Sequence, residues 1–163
     1  MAKNKDKDIK TNAMRILDKN KISYTVNTYE CDDFIDGVHI AKALGQDPAI
    51  SYKTLVTKAK DGEYVVFVLP VLEELDLKAA AKATGKKSIE MLHVKDINSV
   101  TGYIRGGCSP IGMKKLFKTV IDSSCLKYES IIISGGRLGS QIFLSPDDLI
   151  KVTNSVTAEI TAK

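Results

Sequence analysis

Residues 64–69 read Tyr-Val-Val-Phe-Val-Leu, an almost continuous apolar run, and Pro70 follows directly. A short run rich in β-branched and aromatic residues predicts a strand that is buried on both faces. Just before it, Asp61-Gly62 is a residue pair typical of hairpin turns. Leu55 and Val56, upstream of that turn, are therefore expected to lie in the partner strand of a central hairpin.

Helices are predicted on either side of this hairpin, because apolar residues recur there at helical spacing behind capping residues. Their expected N-caps are Thr11, Asp36 or Gly37, Asp76 and Ser145. Gly45 and Gly85 are expected to end the second and third of these helices. A short helix is also predicted over residues 95–101. The segment 101–110 that follows contains three glycines and a proline, which exclude regular helix.

Short apolar segments predict further strands, and these alternate with the helices without the regular βαβ order of a parallel sheet. With the hairpin they number about seven and cover residues 22–26, 55–56, 64–69, 88–92, 119–121, 130–133 and 141–144. We therefore expect an α+β fold, in which a mixed, partly barrel-like β-sheet is surrounded by helices. Residues 1–10 are expected to form a flexible tail, and residues 11–163 a single domain.

The composition argues against several classes of protein. No apolar run approaches the ~20 residues of a membrane helix, and the lysine-rich start offers no signal peptide, so we expect a cytoplasmic protein with no membrane partner. Three cysteines without a CxxC pair and two widely separated histidines predict neither a disulfide framework nor a metal site, and we expect no cofactor. The net charge of +4 permits contact with RNA but does not require it.

Two glycine-rich loops are the main candidates for ligand binding. Gly106-Gly107-Cys108-Ser109-Pro110 and Ser134-Gly135-Gly136-Arg137 would each let backbone N–H groups converge on a phosphate or an oxyanion. Tight turns in a β-rich domain have the same composition, so the two strings alone leave both interpretations open. Neither matches GxxxxGK[ST], which argues against ATP hydrolysis.

Single side chains are weaker indicators of a site. Lys53, at the start of a predicted strand, has the chemistry to anchor a phosphate or polarise a carbonyl, although most lysines do neither. Cys108 lies between a glycine and a serine, but no histidine is close in sequence to activate it as a nucleophile. Tyr29 has the shape to stack on a base or ribose, or to pack against the core.

The order and spacing of several short strings along residues 11–153 are more specific than any one of them. They are Lys53-Thr54-Leu55-Val56, Leu75-Asp76-Leu77-Lys78-Ala79-Ala80-Ala81-Lys82, Thr101-Gly102-Tyr103, Gly106-Gly107-Cys108-Ser109-Pro110-Ile111-Gly112-Met113-Lys114-Lys115, Ser134-Gly135-Gly136-Arg137-Leu138-Gly139 and Pro146-Asp147-Asp148-Leu149. In this arrangement the chain resembles the YbaK-type family, which is itself similar to the editing domain inserted in some prolyl-tRNA synthetases.

The resemblance implies an aminoacyl-tRNA deacylase, an enzyme that removes a wrongly attached amino acid from tRNA. The Gly-Tyr-x-x-Gly-Gly-x-Ser-Pro string is closest to the branch associated with Cys-tRNA(Pro). By resemblance, Lys53 is the essential site lysine, and Tyr29, Gly106 and Ser134 fall on further site positions. The substrate-binding residues that we expect are Tyr29, Gly106, Gly107, Ser109, Ser134, Gly135 and Arg137, without a metal.

The resemblance also implies a mechanism. The thiol of the substrate cysteine attacks its own ester carbonyl and leaves as a cyclic thiolactone. For this chain our hypothesis is that the Gly106-Gly107 backbone holds the carbonyl oxygen, and that Lys53 secures the terminal adenosine or its phosphate and favours the thiolate electrostatically. Aminoacylated tRNA is the expected partner, in a ternary complex with prolyl-tRNA synthetase. Two alternatives stay open: hydrolysis by water of another mischarged tRNA such as Ala-tRNA(Pro), and a non-catalytic module that binds tRNA or the synthetase.

Overall fold

The computed structural model describes residues 10–162, so nearly all of the predicted tail of residues 1–10 lies outside the described part of the chain. Within residues 10–162, eight strands form two sheets and five α-helices pack around them. This arrangement is the α+β fold that the sequence predicts. No helix in the described part of the chain is long and apolar enough to cross a membrane.

The larger sheet contains the predicted central hairpin. Its strands are β2 (Tyr52–Ala59), β3 (Tyr64–Pro70), β4 (Ile89–Met91), β5 (Lys118–Asp122) and β8 (Val156–Ala158), in the spatial order β4-β2-β3-β5-β8. Strands β2 and β3 pair antiparallel across the Asp61-Gly62 turn. The pairs β3–β5 and β5–β8 are parallel, so the sheet is mixed.

The smaller sheet is fully antiparallel and meets the larger one at a single corner. It consists of β1 (Thr25–Thr28), β6 (Ile131–Ser134) and β7 (Ser140–Leu144), in the order β1-β7-β6. Ser51, immediately before β2, forms an isolated parallel bridge with Ile132 of β6, and Ile132 N donates to Ile50 O at 2.9 Å. The described strands therefore form two sheets joined at a corner, and not a closed barrel.

The helices begin where their capping residues predict. They are α1 (Asn12–Lys19), α2 (Gly37–Ala43), α3 (Leu77–Thr84), α4 (Ile97–Thr101) and α5 (Pro146–Thr153). The side chains of Thr11, Asp36, Asp76 and Ser145 each accept a hydrogen bond from a backbone N–H of the first turn. Gly85 ends α3 with a φ of 68°, which glycine adopts without strain.

Strand β3 is buried on both faces because two separate core clusters cover it. Val68 belongs to a cluster formed with α1, α5 and the smaller sheet. Phe67 and Leu69 point the other way, into a cluster formed with α3. Residues 65–69 are all fully buried, which accounts for a run that is apolar rather than alternating.

Two parts of the chain differ from the predicted elements. The first strand begins at Thr25, because Lys21, with a φ of 58°, turns the chain sharply, and Ile22 and Tyr24 then pack against the core outside the ladder. Strand β8 was not predicted. It is three residues long and pairs only at the edge of β5, so it carries too short a pattern to detect.

A candidate active site at the corner between the two sheets

A cavity of about 410 Å³ opens at the corner where the two sheets meet. This volume lies within the range of ligand-binding pockets. Residues 51–56 at the start of β2 form one wall, and residues 132–134 at the end of β6 form another. Of the predicted site residues, the four that line the cavity are Tyr29, Lys53, Gly106 and Ser134. The fold thus assembles residues that are far apart in sequence.

Lys53 is a charged residue of the cavity wall, and no counter-ion among residues 10–162 contacts its ammonium group directly. It is the second residue of β2 and is half-buried. Within residues 10–162 its ammonium group makes no hydrogen bond or ion pair. Burial lowers the pKa of Lys53, and the carboxylates of Glu74, Glu73 and Asp36 act in the opposite direction. A partly desolvated cation without a direct partner is suited to receive negative charge from a ligand.

Gly106 brings its backbone to the cavity wall in a conformation that favours glycine. Its φ is 83°, and a Cβ atom there would lie 2.8 Å from Leu138 Cδ2 and 3.0 Å from Phe34 Cδ2. Its N–H group has no acceptor in the described part of the chain. A donor held rigidly at the edge of a cavity can stabilise an oxyanion.

Gly107 and Gly135, in the two glycine-rich loops, hold the loops together and do not line the cavity. Gly107 N donates to Ile104 O at 2.9 Å, and a Cβ atom on Gly107 would lie 2.8 Å from Arg137 Cα. Gly135 N donates to Ser140 O at 2.8 Å, which closes the β6–β7 turn. Gly107 and Gly135 therefore allow the loops to pack closely.

Ser109 and Ser134 have different surroundings. Ser109 is fully buried, and its hydroxyl accepts from Ile111 N at 3.2 Å. The hydroxyl of Ser134 accepts from Gly136 N at 3.2 Å, so its own proton is still available for a ligand. Arg137 is half-buried in the second loop, outside the lining of the cavity.

Tyr29 and Cys108 both contribute protonated groups to the cavity wall. Burial raises the pKa of the Tyr29 hydroxyl, and Tyr29 N donates to Gly139 O at 2.8 Å, which fixes the residue against the second loop. Burial also raises the pKa of the Cys108 thiol to about 11. Both groups are therefore neutral at physiological pH, and Cys108 lacks the thiolate character of a catalytic nucleophile.

Helix α2 forms a wall that the sequence gives little reason to expect. Asp36, Gly37 and Ile40 line the cavity. The segment just after this helix is tied to the smaller sheet, because Gln46 Nε2 donates to Gln141 Oε1 at 2.8 Å and Gln141 Nε2 donates to Gln46 Oε1 at 3.0 Å. These two residues are 95 positions apart, and no local motif marks the pair.

Arg105 and Phe34 form a second unpredicted feature at the mouth of the cavity. The guanidinium carbon of Arg105 lies 3.9 Å from the centre of the Phe34 ring, and both residues line the cavity. The position of Arg105 next to Gly106 is the one indication in the sequence. His39 and His93 are both exposed and lie outside the lining.

A family model and a curated relative indicate the same family. The model of the aminoacyl-tRNA editing domain matches residues 37–152. A curated protein from Enterococcus faecalis, named EbsC and described as a candidate Cys-tRNA(Pro)/Cys-tRNA(Cys) deacylase, is 46% identical over 164 aligned residues, which cover 100% of this chain and 99% of that protein.

Two solved structures share the fold at low sequence identity. One is a hypothetical protein, APE2540, with a TM-score of 0.85 and 20% identity, over 93% of this chain and 100% of the other. The second is a candidate trans-editing enzyme for prolyl tRNA synthetase, with a TM-score of 0.79 and 19% identity, over 95% and 99% of the two chains. At this identity the likeness establishes the fold alone.

Proposed function

Because the chain belongs to the aminoacyl-tRNA editing domain family, we propose that it is a free-standing aminoacyl-tRNA deacylase that removes cysteine from mischarged tRNA(Pro). The name of its relative from E. faecalis supports this substrate. The observation that carries the proposal is the unpaired, half-buried ammonium of Lys53, which shares a cavity with the amide of Gly106. We take residues 11–163 as the editing domain, and the cytoplasm as its location, because charged tRNA is its substrate.

The reaction needs little from the protein beyond positioning and charge stabilisation. The amino acid is joined to the ribose of the terminal adenosine by an ester, which is already activated. Deprotonation of the cysteine side chain releases its proton to water. The resulting thiolate attacks the ester carbonyl, so that a C–S bond forms and the carbonyl oxygen becomes an oxyanion.

Collapse of this intermediate completes the transfer. The carbonyl re-forms as the C–O bond to the ribose breaks, and the departing ribose oxygen takes a proton from water. The products are uncharged tRNA and a four-membered thiolactone. Two negative charges must be stabilised along this path, first on sulfur and then on the carbonyl oxygen.

The cavity provides one group for each of these needs. The Gly106 N–H is proposed to donate to the oxyanion, since it has no acceptor among the described residues, whereas the Gly107 N–H already donates to Ile104. The Lys53 ammonium is proposed to favour the thiolate electrostatically, because a charge acts more strongly in partly desolvated surroundings. Tyr29 and Ser134 supply neutral hydroxyls that are suited to orient the substrate.

A nucleophile on the substrate accounts for the absence of a catalytic triad among the residues that line the cavity. Cys108 is protonated at neutral pH because of its raised pKa, and neither histidine lines the cavity. The same chemistry also sets specificity. Proline has no side-chain nucleophile, and alanine cannot cyclise, so both would be spared.

Selection of the tRNA body requires a further component. A prolyl-tRNA synthetase cannot strongly reject cysteine by size, and a second site is the general remedy for such errors. A thiol-dependent step would also cleave Cys-tRNA(Cys), which the name of the E. faecalis relative includes. We therefore propose that a ternary complex with prolyl-tRNA synthetase directs the enzyme to Cys-tRNA(Pro).

The test is a deacylation assay on Cys-tRNA(Pro), Cys-tRNA(Cys), Ala-tRNA(Pro) and Pro-tRNA(Pro), with identification of the released product. We expect loss of cysteine alone, as thiolactone, and a fall of about 100-fold or more in rate with Lys53→Ala. Lys58→Ala is the matched control, because Lys58 is an exposed lysine of the same strand outside the cavity. Release of alanine by water would instead support the hydrolytic alternative, and no release at all would favour a binding module.

A further inference from the structure

The mouth of the cavity contains a flat, exposed stack of a cation on an aromatic ring. At 3.9 Å from the ring centre, the guanidinium of Arg105 lies over Phe34. Phe34 keeps 39% of its surface exposed, and Arg105 is also exposed. The guanidinium face turned away from Phe34 is therefore accessible to a ligand.

Nothing in the described part of the chain occupies the hydrogen-bonding groups of this guanidinium. Within residues 10–162, Arg105 forms no hydrogen bond or ion pair, so its stack on Phe34 is its one strong contact. A surface arginine that only stabilises the fold usually pairs with a carboxylate or a carbonyl. An unpaired guanidinium, held flat at a cavity mouth, is instead suited to stack on a planar ligand.

The rim around this stack is apolar. Ile35, Met91 and Val94 line the same cavity and are 44%, 45% and 53% exposed. Apolar side chains that stay exposed around a cavity mark a surface that a partly apolar ligand covers. A nucleobase has this character, with an apolar face and polar edges.

We propose that Arg105 and Phe34 form the platform on which the terminal adenine of the aminoacyl-tRNA stacks. This platform rests on the proposed function, because the position proposed for the ester determines where the adenine lies. Arg105 directly precedes Gly106, whose amide is assigned to the ester carbonyl. The ester is carried by the ribose of the terminal adenosine, so the base lies one sugar ring away from that carbonyl.

Charge near the cavity favours a base over a phosphate at this position. The carboxylates of Glu74, Glu73 and Asp36 all act on Lys53 through space, and Asp36 itself lines the cavity. These carboxylates weaken the attraction of Lys53 and Arg105 for a phosphate, whereas they do not affect a neutral adenine in this way. The guanidinium edge then remains available for the polar edge of the base.

A fluorescence titration measures stacking of the terminal base on the protein in the absence of catalysis. An RNA minihelix that ends in 2-aminopurine in place of the terminal adenine is titrated with the full-length protein. Fluorescence of the terminal 2-aminopurine is expected to fall on binding, since stacking quenches it. The quench is expected to disappear with Phe34→Leu and with Arg105→Lys, which keeps the charge but lacks the plane. Arg15→Lys, on the exposed side of α1, is the control and is expected to retain the quench.

Steady-state kinetics provide a second test of the platform. For Cys-tRNA(Pro), Arg105→Lys is expected to raise KM about tenfold, as the loss of one base stack does, with little change in kcat. Full quench and unchanged KM in Arg105→Lys would overturn the platform. Binding that falls with Arg105→Leu but not with Arg105→Lys would show that residue 105 contacts a phosphate through its charge. This result would also overturn the platform.

The two proposals fail in different ways. A protein that quenches the terminal 2-aminopurine but releases no amino acid from any charged tRNA would retain the platform and lose the proposed deacylase activity. If Phe34→Leu and Arg105→Lys release cysteine at the same rate and KM as the wild type, the protein would retain the activity and lose the platform.

Discussion

The Thr11 hydroxyl donates a hydrogen bond of 2.6 Å to the carbonyl oxygen of Gly135, which lies 124 residues later in the chain. The same hydroxyl caps α1 by accepting from Met14 N. Its neighbour Asn12 donates through Nδ2 to Gly112 O at 2.7 Å. The N-terminal end of α1 thus holds the second glycine-rich loop at Gly135 and the segment after the first loop at Gly112. Neither Thr11 nor Asn12 lines the cavity.

Thr11→Val is predicted to weaken both stability and turnover. The variant keeps the shape but loses the cap and the bond to Gly135, which together contribute about 1–2 kcal/mol to the free energy of unfolding. We expect Thr11→Ser to retain both properties, because it keeps the hydroxyl. The measurements are the free energy of unfolding by urea and kcat on Cys-tRNA(Pro). A valine variant with unchanged stability would show that the two hydrogen bonds of the Thr11 hydroxyl do not stabilise the fold.

The pH profile of kcat/KM is predicted to fall on its alkaline side because of Lys53. The ammonium form is active in the proposed step, and burial lowers the pKa of Lys53, so activity is lost at a pH below the ordinary lysine range. On the acidic side activity rises as the substrate thiol ionises, near its usual pKa of about 8.5. Lys53→Arg is expected to keep the acidic limb and lose the alkaline one, since arginine stays charged. An unchanged alkaline limb would assign it to another group.

Lys53→Met is predicted to leave the fold as stable as the wild type, or more stable, while activity is lost. Because the folded pKa of Lys53 is lowered, holding its proton at neutral pH costs stability in the folded state. This cost is relieved as the pH rises through the lowered pKa, so the gain from the variant should be largest near neutral pH and shrink in alkali. Thermal unfolding at several pH values checks the trend. A clear loss of stability at neutral pH would contradict it.

Gly106→Ala is predicted to lower activity more than its backbone strain alone explains. An alanine at this φ costs about 1–2 kcal/mol of stability, and its Cβ would also press on Leu138 and Phe34. Gly62→Ala is the matched control, because Gly62 has a φ of 93° but no atom within 4 Å of the added Cβ. Gly62→Ala should lose only the stability that the backbone strain costs, Gly106→Ala should lose more because of its contacts, and kcat should fall only in Gly106→Ala. Equal kcat in the two variants would exclude Gly106 from the site.

Cys108→Ala is predicted to retain deacylation. With a pKa raised to about 11, the thiol is protonated at neutral pH, and the proposed nucleophile belongs to the substrate. Removal of a true catalytic nucleophile costs on the order of 10⁶-fold. Single-turnover release of cysteine from charged tRNA measures the difference. A loss on that scale would move the attacking sulfur from the substrate to the protein.

Local chemistry explains which elements the sequence predicts correctly. The caps at Thr11, Asp36, Asp76 and Ser145 satisfy backbone donors within three residues, so they can be recognised in a single stretch of chain. The continuous apolar run of β3 indicates that both faces of this strand are buried. By contrast, Tyr24 and β8 depend on contacts with distant residues, and short patterns do not contain that information.

The candidate site shows the same division. Lys53, Gly106, Tyr29 and Ser134 are predicted through the resemblance of whole strings, and the fold brings all four to one cavity. Arg105 and the Gln46–Gln141 pair are not predicted, because their importance comes from three-dimensional neighbours. Gly107 and Gly135 resemble ligand-binding glycines in sequence, but here they allow backbone segments to approach each other closely.

Lys53 lies directly opposite Leu69, in the antiparallel pair that forms the centre of the larger sheet. On β3, residues 65–69 around this pair are fully buried. The backbone amides of the pair are therefore expected to exchange with solvent only when the whole protein unfolds. Lys53 is therefore expected to lie in the last part of the protein to unfold. On heating, the activity is expected to persist up to the cooperative unfolding transition. Activity and folded structure would then be lost at the same temperature.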